Sequence, residues 1–531
     1  MGIPSYFSYI IKNYPNIIRK FNACGQFHHL FMDCNSIVYD AYNSIEKKHA
    51  KHPVDVSKIE SLILNQVVEN IKGYIRFVSP KYSVFITFDG VAPFAKMSQQ
   101  KTRRYKSVFM SQLESSTKLW NTTNITPGTM FMNSLTNRIH SEFKNKEQDF
   151  NVNTIHISCS DEPGEGEHKL FQYMRDNTIT NDNVAVYGLD SDLIMLSIFH
   201  RQYVNSIHVF REAPEFKSII SEDKLRDPTE KLFMDIELLS QSIFHEMGTN
   251  KTMKSVNDYI FLCFFLGNDF LPHFPAFNIR THGIQILMDT YRMIIGKYSD
   301  RALIDNNQIQ WKWVFLLLNE IAKSEHEYIL NEFFTRDKMD GRVWANNTDE
   351  DRAQILLNIP VIYRQDEKYI SPNHVGWEKR YYKQLLGIKP SEENIKKICI
   401  NYLEGLEWVF KYYTHGCPHW KWKYNYCYPP LVKDLVKYIP KEKMDFINSN
   451  TIDNTPFTPY LQLAYVLPRG QLDLLPSNIR EFLLNNYGAF YPTEYKFKWA
   501  FCRYFWEAHP LLPDIHIGML ENWDSRFNNM K

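Results

Sequence analysis

A turn with two closely spaced glutamates is the pattern in this chain with the clearest potential for chemistry. The run Asp161-Glu-Pro-Gly-Glu-Gly-Glu-His-Lys-Leu170 places Glu165 and Glu167 on either side of a glycine. Such carboxylates repel one another unless a divalent cation takes them as hard oxygen ligands, and Mg²⁺ suits a short turn because water and substrate phosphates complete its octahedron. The alternative is an ordinary acidic first turn of a helix, in which the acids stabilise the helix dipole and His168 packs or supports a ligand.

Further acids in comparable positions favour the metal interpretation. Each of them follows an apolar run or lies in a turn after one; they are Asp33, Asp89, Asp190, Asp192 and Asp269. Two metal ions about 4 Å apart can stabilise both the attacking hydroxide and the leaving oxygen of an in-line phosphodiester displacement. Together with the two glutamates, these acids therefore predict two bound Mg²⁺ or Mn²⁺ ions and a phosphodiester hydrolase.

The elements that must position these acids alternate between strand and helix. Apolar runs predict strands at residues 26–33, 82–89, 154–158 and 183–192, and each run ends at, or leads into, a group of acids. Apolar residues at helical spacing predict a helix over 57–78. Strands that alternate with helices indicate a mostly parallel sheet, and the ligands of such sheets bind beyond the carboxyl ends of the strands. The acids should converge there.

A basic segment follows the second of these strands. Residues 96–106 hold five positive charges and no acid. The positions that follow helical i, i+4, i+7, i+8 spacing, and so share one face of a helix, are Lys96, Gln100, Arg103 and Arg104. Arginine offers the bidentate fork that phosphate recognition uses, so this face predicts phosphate binding rather than a solvated surface. Lys101 and Lys106 fall off this face and are expected to be ordinary surface charges.

Two tryptophans in a densely aromatic segment, residues 376–435, are candidates for base stacking. Trp420 and Trp422 alternate with lysines, as in a platform that stacks bases and neutralises the backbone, although burial in a core is the alternative. The chain's cysteines form no Cys-x-x-Cys pair, which predicts free thiols in a reducing compartment.

Composition limits the class of protein. A chain of 531 residues with 44% hydrophobic content can bury several domain cores. Since 61 Lys and Arg balance 60 Asp and Glu, an anionic partner has to be held by a local basic patch. No apolar run approaches the roughly 18 residues of a membrane span. We therefore expect a soluble intracellular protein, in the cytoplasm rather than the nucleus because no basic run resembles a nuclear-localisation signal.

The motifs that carry these residues resemble those of the Xrn-type 5′→3′ exoribonucleases, whose core is similar to the PIN/flap-endonuclease fold. The matching stretches include Met1-Gly-Ile-Pro4, Met32-Asp-Cys-Asn-Ser-Ile37, Asp89-Gly-Val-Ala-Pro93, Ala95-Lys-Met-Ser-Gln-Gln100, Pro163-Gly-Glu-Gly-Glu-His-Lys169, Tyr187-Gly-Leu-Asp-Ser-Asp-Leu-Ile194, Gly267-Asn-Asp-Phe-Leu-Pro272 and the block 405–430. The resemblance covers nearly the whole chain. It ends about where the family's core ends, which predicts a compact member of viral or divergent origin.

The resemblance implies a role for each candidate residue. The metal-ligating and catalytic acids would be Asp33, Asp89, Glu165, Glu167, Asp190, Asp192 and Asp269. The 5′ phosphate would be held by Lys96, Gln100, Arg103 and Arg104. The terminal base would stack between Tyr39, which stands where the family has a histidine, and Trp420 or Trp422. Phe94 replaces a basic residue that is usual in the family. The implied reaction is degradation of single-stranded, 5′-monophosphorylated RNA to mononucleotides by a monomer that binds two Mg²⁺ or Mn²⁺ ions.

The predicted fold is of the α/β class, with a mostly parallel central sheet flanked by helices and a mainly helical, aromatic-rich second domain. Beyond about residue 300 the sequence pattern changes to that of long helices rich in Trp, Tyr and Lys. We therefore predict a catalytic domain over 1–340 and a second domain over 341–531 that forms one wall of the active site. Two other functions remain as alternatives. A structure-specific 5′ nuclease for DNA flaps uses the same carboxylate pattern, and a non-catalytic RNA-binding scaffold would lack at least one acid.

Overall fold

A seven-stranded sheet organises the first part of the computed structural model, which describes residues 2–49, 55–113, 118–177, 179–188, 190–212, 231–248, 253–447 and 454–530. The strands are β1 (Ile18–Lys20), β2 (His29–Asp33), β3 (Ser83–Thr87), β4 (Thr154–Ser158), β5 (Ile179–Tyr187), β6 (Val204–Glu212) and β7 (Lys231–Asp235). Their order across the sheet is β1-β7-β6-β5-β2-β3-β4. The run from β4 to β6 is parallel, and β7 pairs antiparallel with both β6 and β1. The predicted mostly parallel sheet is therefore confirmed.

Helices cover both faces of this sheet. They are α1 (Tyr6–Asn13), α2 (Asn35–His49), α3 (Ile59–Val78), α4 (Phe94–Leu113), α5 (Met130–Phe143), α6 (Glu147–Phe150), α7 (Gly166–Asp176), α8 (Asp192–His200), α9 (Ile236–Met247), α10 (Met253–Cys263) and α11 (Gly283–Tyr291). The predicted helix over 57–78 corresponds to α3, and the predicted basic helix corresponds to α4. The strands β1 and β7 were not predicted. β1 has only three residues, none of them buried, so it gives no apolar pattern.

The central strands send alternate side chains into two hydrophobic clusters. Phe31 of β2 packs in a cluster with residues of α1, α7, α8, α9 and α10, whereas Leu30 and Met32 pack on the opposite face with α2, α3 and α5. This alternation follows from the two-residue period of a strand. Every residue of β2 and β3 is buried, as expected for parallel strands with helices on both sides.

The rest of the chain is mainly helical, as predicted. Its helices are α12 (Trp311–Ala322), α13 (Glu325–Asp340), α14 (Asp349–Leu357), α15 (Ile359–Ile362), α16 (Gln365–Ile370), α17 (Trp377–Leu386), α18 (Glu392–Thr414), α19 (Val432–Leu435), α20 (Pro459–Val466), α21 (Ser477–Tyr487) and α22 (Ile517–Asn528). Its short strand pairs are β8 (Ile304–Asp305) with β9 (Gln308–Ile309), and β10 (Phe497–Lys498) with β11 (His509–Pro510).

The helical part packs directly against the elements around the sheet. Trp408 and Tyr412 of α18 belong to the same cluster as Phe31 of β2, and α20 and α22 form a third cluster with Phe94 and Met97 of α4. The helix with the basic face therefore lies between the sheet and the helical part of the chain. The domain division at residue 340 stays a prediction.

Candidate active site

Six of the seven predicted acids lie beyond the carboxyl ends of the parallel strands, whereas Asp269 lies in a turn after α10. Asp33 is the last residue of β2, and Asp89 follows β3 by two residues. The two glutamates begin α7, while Asp190 and Asp192 lie where β5 leads into α8. A cavity of about 460 Å³ opens at this edge, and its acidic lining consists of Asp33, Asp89, Glu165, Glu167 and Asp190. Met1 and Leu189, which belong to two of the motifs, lie outside the described residues.

Three carboxylates form the centre of the acidic cluster. Asp33, Asp89 and Glu167 each offer an oxygen within 4.8 Å of the other two. The backbone N–H of Gly166 donates to Asp89 Oδ1 at 2.7 Å, and the amide of Asn35 donates to Asp89 Oδ2. A side chain at Gly166 would bring its Cβ within 2.8 Å of Asp33 Oδ1, so only glycine allows the Glu-Gly-Glu turn to approach β2 this closely.

Lys96 connects the acidic cluster to the basic helix. Its ammonium donates to Glu165 and, at 2.9 Å, to Asp269 Oδ2. Burial by itself would lower the pKa of Lys96, but the neighbouring charges of Asp269 and Glu165 outweigh it and raise the pKa well above its ordinary value. Lys96 therefore stays charged and fixes the positions of two of the predicted acids.

The remaining electrostatics of the cluster are unfavourable without a cation. Burial and the charges of Asp89 and Asp190 raise the pKa of Asp33 well above its ordinary value, and burial with Glu165 does the same for Glu167. Asp33 Oδ1 is buried and has no hydrogen-bond partner among the described residues. A set of hard oxygen donors, crowded and partly unsatisfied, fits a divalent cation such as Mg²⁺.

The basic face of α4 supplies the opposite wall of the same cavity, and all four predicted phosphate-binding residues line it. Gln100 Oε1 accepts a hydrogen bond of 3.0 Å from Gln462 of α20. Arg104 donates to Thr126 at 2.7 Å, while its buried Nε has no partner among the described residues. Burial, with a contribution from Arg103, lowers the pKa of Arg104 to about 10. Arg103 itself is exposed.

The two lysines expected to be surface charges are not on the surface, so that prediction is wrong. Lys101 is only 6% exposed, and its ammonium lies 4.7 Å from the centre of the Tyr465 ring. Lys106 is half-buried and donates to the backbone carbonyl of Trp506. Both are covered because the helical part of the chain packs on this side of α4, which helical spacing alone does not reveal.

The predicted stacking residues occupy different environments. Tyr39 of α2 is 36% exposed and lines the cavity beside the acids. Trp422 is 9% exposed and its ring stacks on Trp408 at a centroid distance of 5.3 Å. Trp420 is half-buried, and its carbonyl accepts a hydrogen bond of 2.8 Å from the N–H of Phe94. Neither tryptophan is among the described residues that line this cavity, and the stacking roles stay predictions.

Two adjacent tyrosines of α18 contact the acids, and the sequence analysis did not predict them as site residues. The Tyr412 hydroxyl donates to Glu165 Oε1 at 2.7 Å, and the Tyr413 hydroxyl donates to Asp192 Oδ1 at 2.8 Å. His168 stacks on Tyr412 with ring centres 3.7 Å apart, which agrees with a packing or supporting role. A pair of tyrosines in a long apolar helix gives no sequence signal that distinguishes these contacts from ordinary burial.

Gly2 at the beginning of the chain also approaches this site. It adopts a positive φ of 51°, and a Cβ at this position would lie 2.2 Å from Asp192 Oδ1. Only glycine is compatible with this contact. None of the helices that the structure describes is both long and apolar enough to cross a membrane.

Comparisons with known proteins agree on one family. The family model described as "XRN 5'-3' exonuclease N-terminus" matches residues 1–213, and the one described as "Xrn1 helical domain" matches 250–373 and 365–527. The 5'-3' exoribonuclease 1 of Schizosaccharomyces pombe is 26% identical over 97% of this chain and 48% of its own length. The 5'-3' exoribonuclease 2 of Arabidopsis thaliana is 26% identical over 97% of this chain and 66% of its own length.

This chain thus spans between about half and two thirds of the length of these two relatives. Among solved structures, the catalytic core of Rad2 in complex with DNA substrate aligns with 91% of this chain and 99% of its own, at 12% identity and a TM-score of 0.34.

Proposed function

The chain belongs to the XRN family of 5′-3′ exonucleases, and on this premise we propose that it is a metal-dependent 5′→3′ exoribonuclease. Its substrate would be single-stranded RNA with a 5′ monophosphate, and its products would be mononucleotides. The observation that carries the proposal is the cavity at the sheet edge, which has a wall of carboxylates and a facing wall of cations. Phosphodiester hydrolysis needs the first wall, and recognition of a terminal phosphate needs the second.

The carboxylates would hold two divalent cations, Mg²⁺ or Mn²⁺. Asp33, Asp89 and Glu167 are suited to share one ion because their oxygens lie within 4.8 Å of one another. The second ion would be held by acids from the set Glu165, Asp190, Asp192 and Asp269. When bound, such ions supply a nucleophilic hydroxide and stabilise the charge of the leaving oxygen.

The protein's own residues would position the RNA. Arg103 and Arg104 have donors that are available to a terminal phosphate, and charge-assisted hydrogen bonds to them would hold the first phosphodiester over the acids. Tyr39, at the same cavity, would stack on the terminal base. Lys96 would keep Glu165 and Asp269 fixed while contributing positive charge to the phosphate side.

A comparison of RNA ends tests this function. RNAs that differ only in carrying a 5′ monophosphate, hydroxyl, triphosphate or cap are incubated with the protein and Mg²⁺. We expect rapid decay of the monophosphate form only, because a hydroxyl leaves the arginines unpaired and the larger ends do not fit. Equal decay of all four RNAs would contradict the phosphate pocket and favour an endonuclease.

The same assay with DNA tests the alternative of a flap-type nuclease. RNA-specific decay from the 5′ end supports the proposed activity, whereas cleavage of branched DNA would support the alternative. Action as a monomer and residence in the cytoplasm rather than the nucleus stay predictions.

A further inference from the structure

A second cavity lies against another side of α4, and two residues of the proposed active site, Arg103 and Asp269, also line it. Its volume is about 500 Å³, and α4 lines it with Ser98, Thr102, Arg103 and Lys106. These residues follow i, i+4, i+5, i+8 spacing, so they share one side of the helix. The first cavity is lined by a different set of α4 residues, and only Arg103 of this helix lines both. The two cavities therefore lie on different sides of the helix and share Ser5 and Arg103 in their linings, and we call the second one the outer cavity.

Cations outnumber carboxylates in the lining of the outer cavity, whose acids are Asp269, paired with Lys96, and Glu507. Arg280 pairs with Glu507 at 2.6 Å, and Lys423 pairs with Asp514 at 2.9 Å. Among the described residues, Lys106 has no carboxylate within the 4.0 Å of an ion pair, and neither has Arg103. An ammonium and a guanidinium on one side of a helix, both facing a cavity and both without a carboxylate, are suited to an anion.

The positive charge lies beside an exposed aromatic ring. Lys106 donates to the backbone carbonyl of Trp506, which keeps the ammonium next to this tryptophan. Trp506 also lines the cavity and is 42% exposed, an unusual state for the largest apolar side chain. Its ring stacks on Tyr504 at 4.2 Å, which restricts its orientation. Burial lowers the pKa of Lys106 to about 8, so an anion bound there would restore the interactions that the ammonium has lost.

We propose that the outer cavity binds a nucleoside 5′-monophosphate, with the phosphate on Lys106 and Arg103 and the base on Trp506. A cavity of about 500 Å³ lies within the range of small-ligand sites, roughly 300–1,000 Å³. A cation beside an aromatic face recognises any nucleotide, because every base has a π-face. The source of the ligand rests on the proposed function: it is either the mononucleotide released in the first cavity or a nucleotide taken from solution.

Calorimetric titration of the full chain with AMP and with UMP, in EDTA, tests the site. The variants are Lys106→Met and Trp506→Ala, and the matched control is Lys101→Met, a buried lysine of the same helix that contacts Tyr465 instead. We expect both test variants to weaken binding about tenfold or more, consistent with stacking and charge-assisted contacts. Lys106→Arg should retain most of the affinity. Thermal melting establishes that each variant is folded.

The outcomes separate the cavity from the active site. Unchanged affinity in both test variants, or an equal loss in Lys101→Met, would overturn the proposal. Nucleotide could also bind at the phosphate-binding wall of the first cavity, so the titration is repeated with Arg104→Ala. The part of the nucleotide binding that Lys106→Met removes should persist in this variant. If that component disappears together with Arg104, the nucleotide binds only in the first cavity and the proposal is wrong.

Kinetics distinguish the two sources of the ligand. If the released product passes into the outer cavity, Lys106→Met should change the rate of successive cuts along one RNA and leave the rate of the first cut unaltered. If the nucleotide comes from solution, Lys106→Met should degrade RNA at the wild-type rate and should differ only in how strongly added AMP inhibits that degradation. A wild-type protein that binds AMP through Lys106 but does not degrade RNA would contradict the proposed function and leave the nucleotide site standing.

Discussion

Two buried clusters of charge in this molecule are balanced in opposite ways. In the helical part, Glu367 is completely buried and accepts hydrogen bonds from Arg336 at 2.6 Å, from Arg364 at 2.6 Å and from the N–H of Phe501 at 2.8 Å. At the sheet edge, Lys96 forms ion pairs with two acids of the cluster, Glu165 and Asp269. The first cluster satisfies its charges internally, whereas the second leaves an excess of negative charge.

The pKa values express the same difference. Burial by itself would raise the pKa of Glu367, but Arg336 and Arg364 outweigh it and hold the pKa below its ordinary value. Burial and neighbouring carboxylates raise the pKa values of Asp33 and Glu167, with Asp89 acting on both. Repulsion between buried carboxylates is typical of a functional site, where a bound cation can compensate for it. We therefore interpret the Glu367 cluster as structural and the acids at the sheet edge as functional.

The largest expected effect is the loss of hydrolysis in Asp33→Asn. The amide keeps the shape of the side chain but removes a ligand of the proposed ion, so the rate of RNA degradation should fall by about a thousandfold or more. Stability in the absence of metal should be unchanged or higher, because a repulsive charge is lost. Activity within about tenfold of the wild type would contradict the account, and a gel-shift measurement should show that RNA binding is retained.

Glu367→Gln should have the opposite signature. Removing this charge takes away the carboxylate that pairs with the buried Arg336 and leaves Arg364 with Asp337 alone. This loss costs about 3–5 kcal/mol of folding free energy. Urea unfolding measures the loss, and each molecule that stays folded at low temperature should keep its activity. Glu393→Gln, which removes an exposed partner of Lys397, is the control and should be indistinguishable from the wild type. If Glu367→Gln were as stable as the wild type, the comparison of the two clusters would fail.

A smaller effect is expected for the tyrosines that reach the acids from α18. Tyr412→Phe and Tyr413→Phe each remove one hydrogen bond to a predicted metal ligand, and outer hydrogen bonds of this kind change metal affinity about 10- to 100-fold. The Mg²⁺ concentration for half-maximal activity should rise, while the affinity for RNA in EDTA should not change. Tyr402→Phe is the matched control, since this buried tyrosine of α18 donates to the carbonyl of Pro272. The same Mg²⁺ requirement in all three variants would exclude this role.

The smallest effect concerns the pH dependence of stability without metal. Burial, together with Asp190 and Asp269, raises the pKa of Asp192 from 3.8 to about 7. The folded state then binds more protons than the unfolded state between these values, so the free energy of unfolding should fall as pH rises from about 4 to 7. Asp192→Asn should flatten this dependence, and saturating Mg²⁺ should reverse it. A free energy that rises steadily over this range in EDTA would contradict the balance of charges described here.

Much of the sheet and its acids could be predicted because strand periodicity is local. Apolar runs that end in acids predicted the positions of β2, β3 and β5, and helical spacing predicted those of α3 and α4. The short edge strand β1 carries too few residues to give a pattern. The burial of Lys101 and Lys106, and the contacts of Tyr412 and Tyr413, depend on packing between distant parts of the chain, for which spacing within one helix contains no information.

The most direct test of the central claim follows the first nucleotide released from RNA that carries a labelled 5′ monophosphate. The protein is stripped with EDTA and then supplied with Mg²⁺ or Mn²⁺, alongside Asp33→Asn. The account predicts no product in EDTA, a labelled mononucleotide as the first product once the ion is added, and no recovery in the variant. Hydrolysis that proceeds equally in EDTA, or labelled fragments longer than one nucleotide, would contradict it.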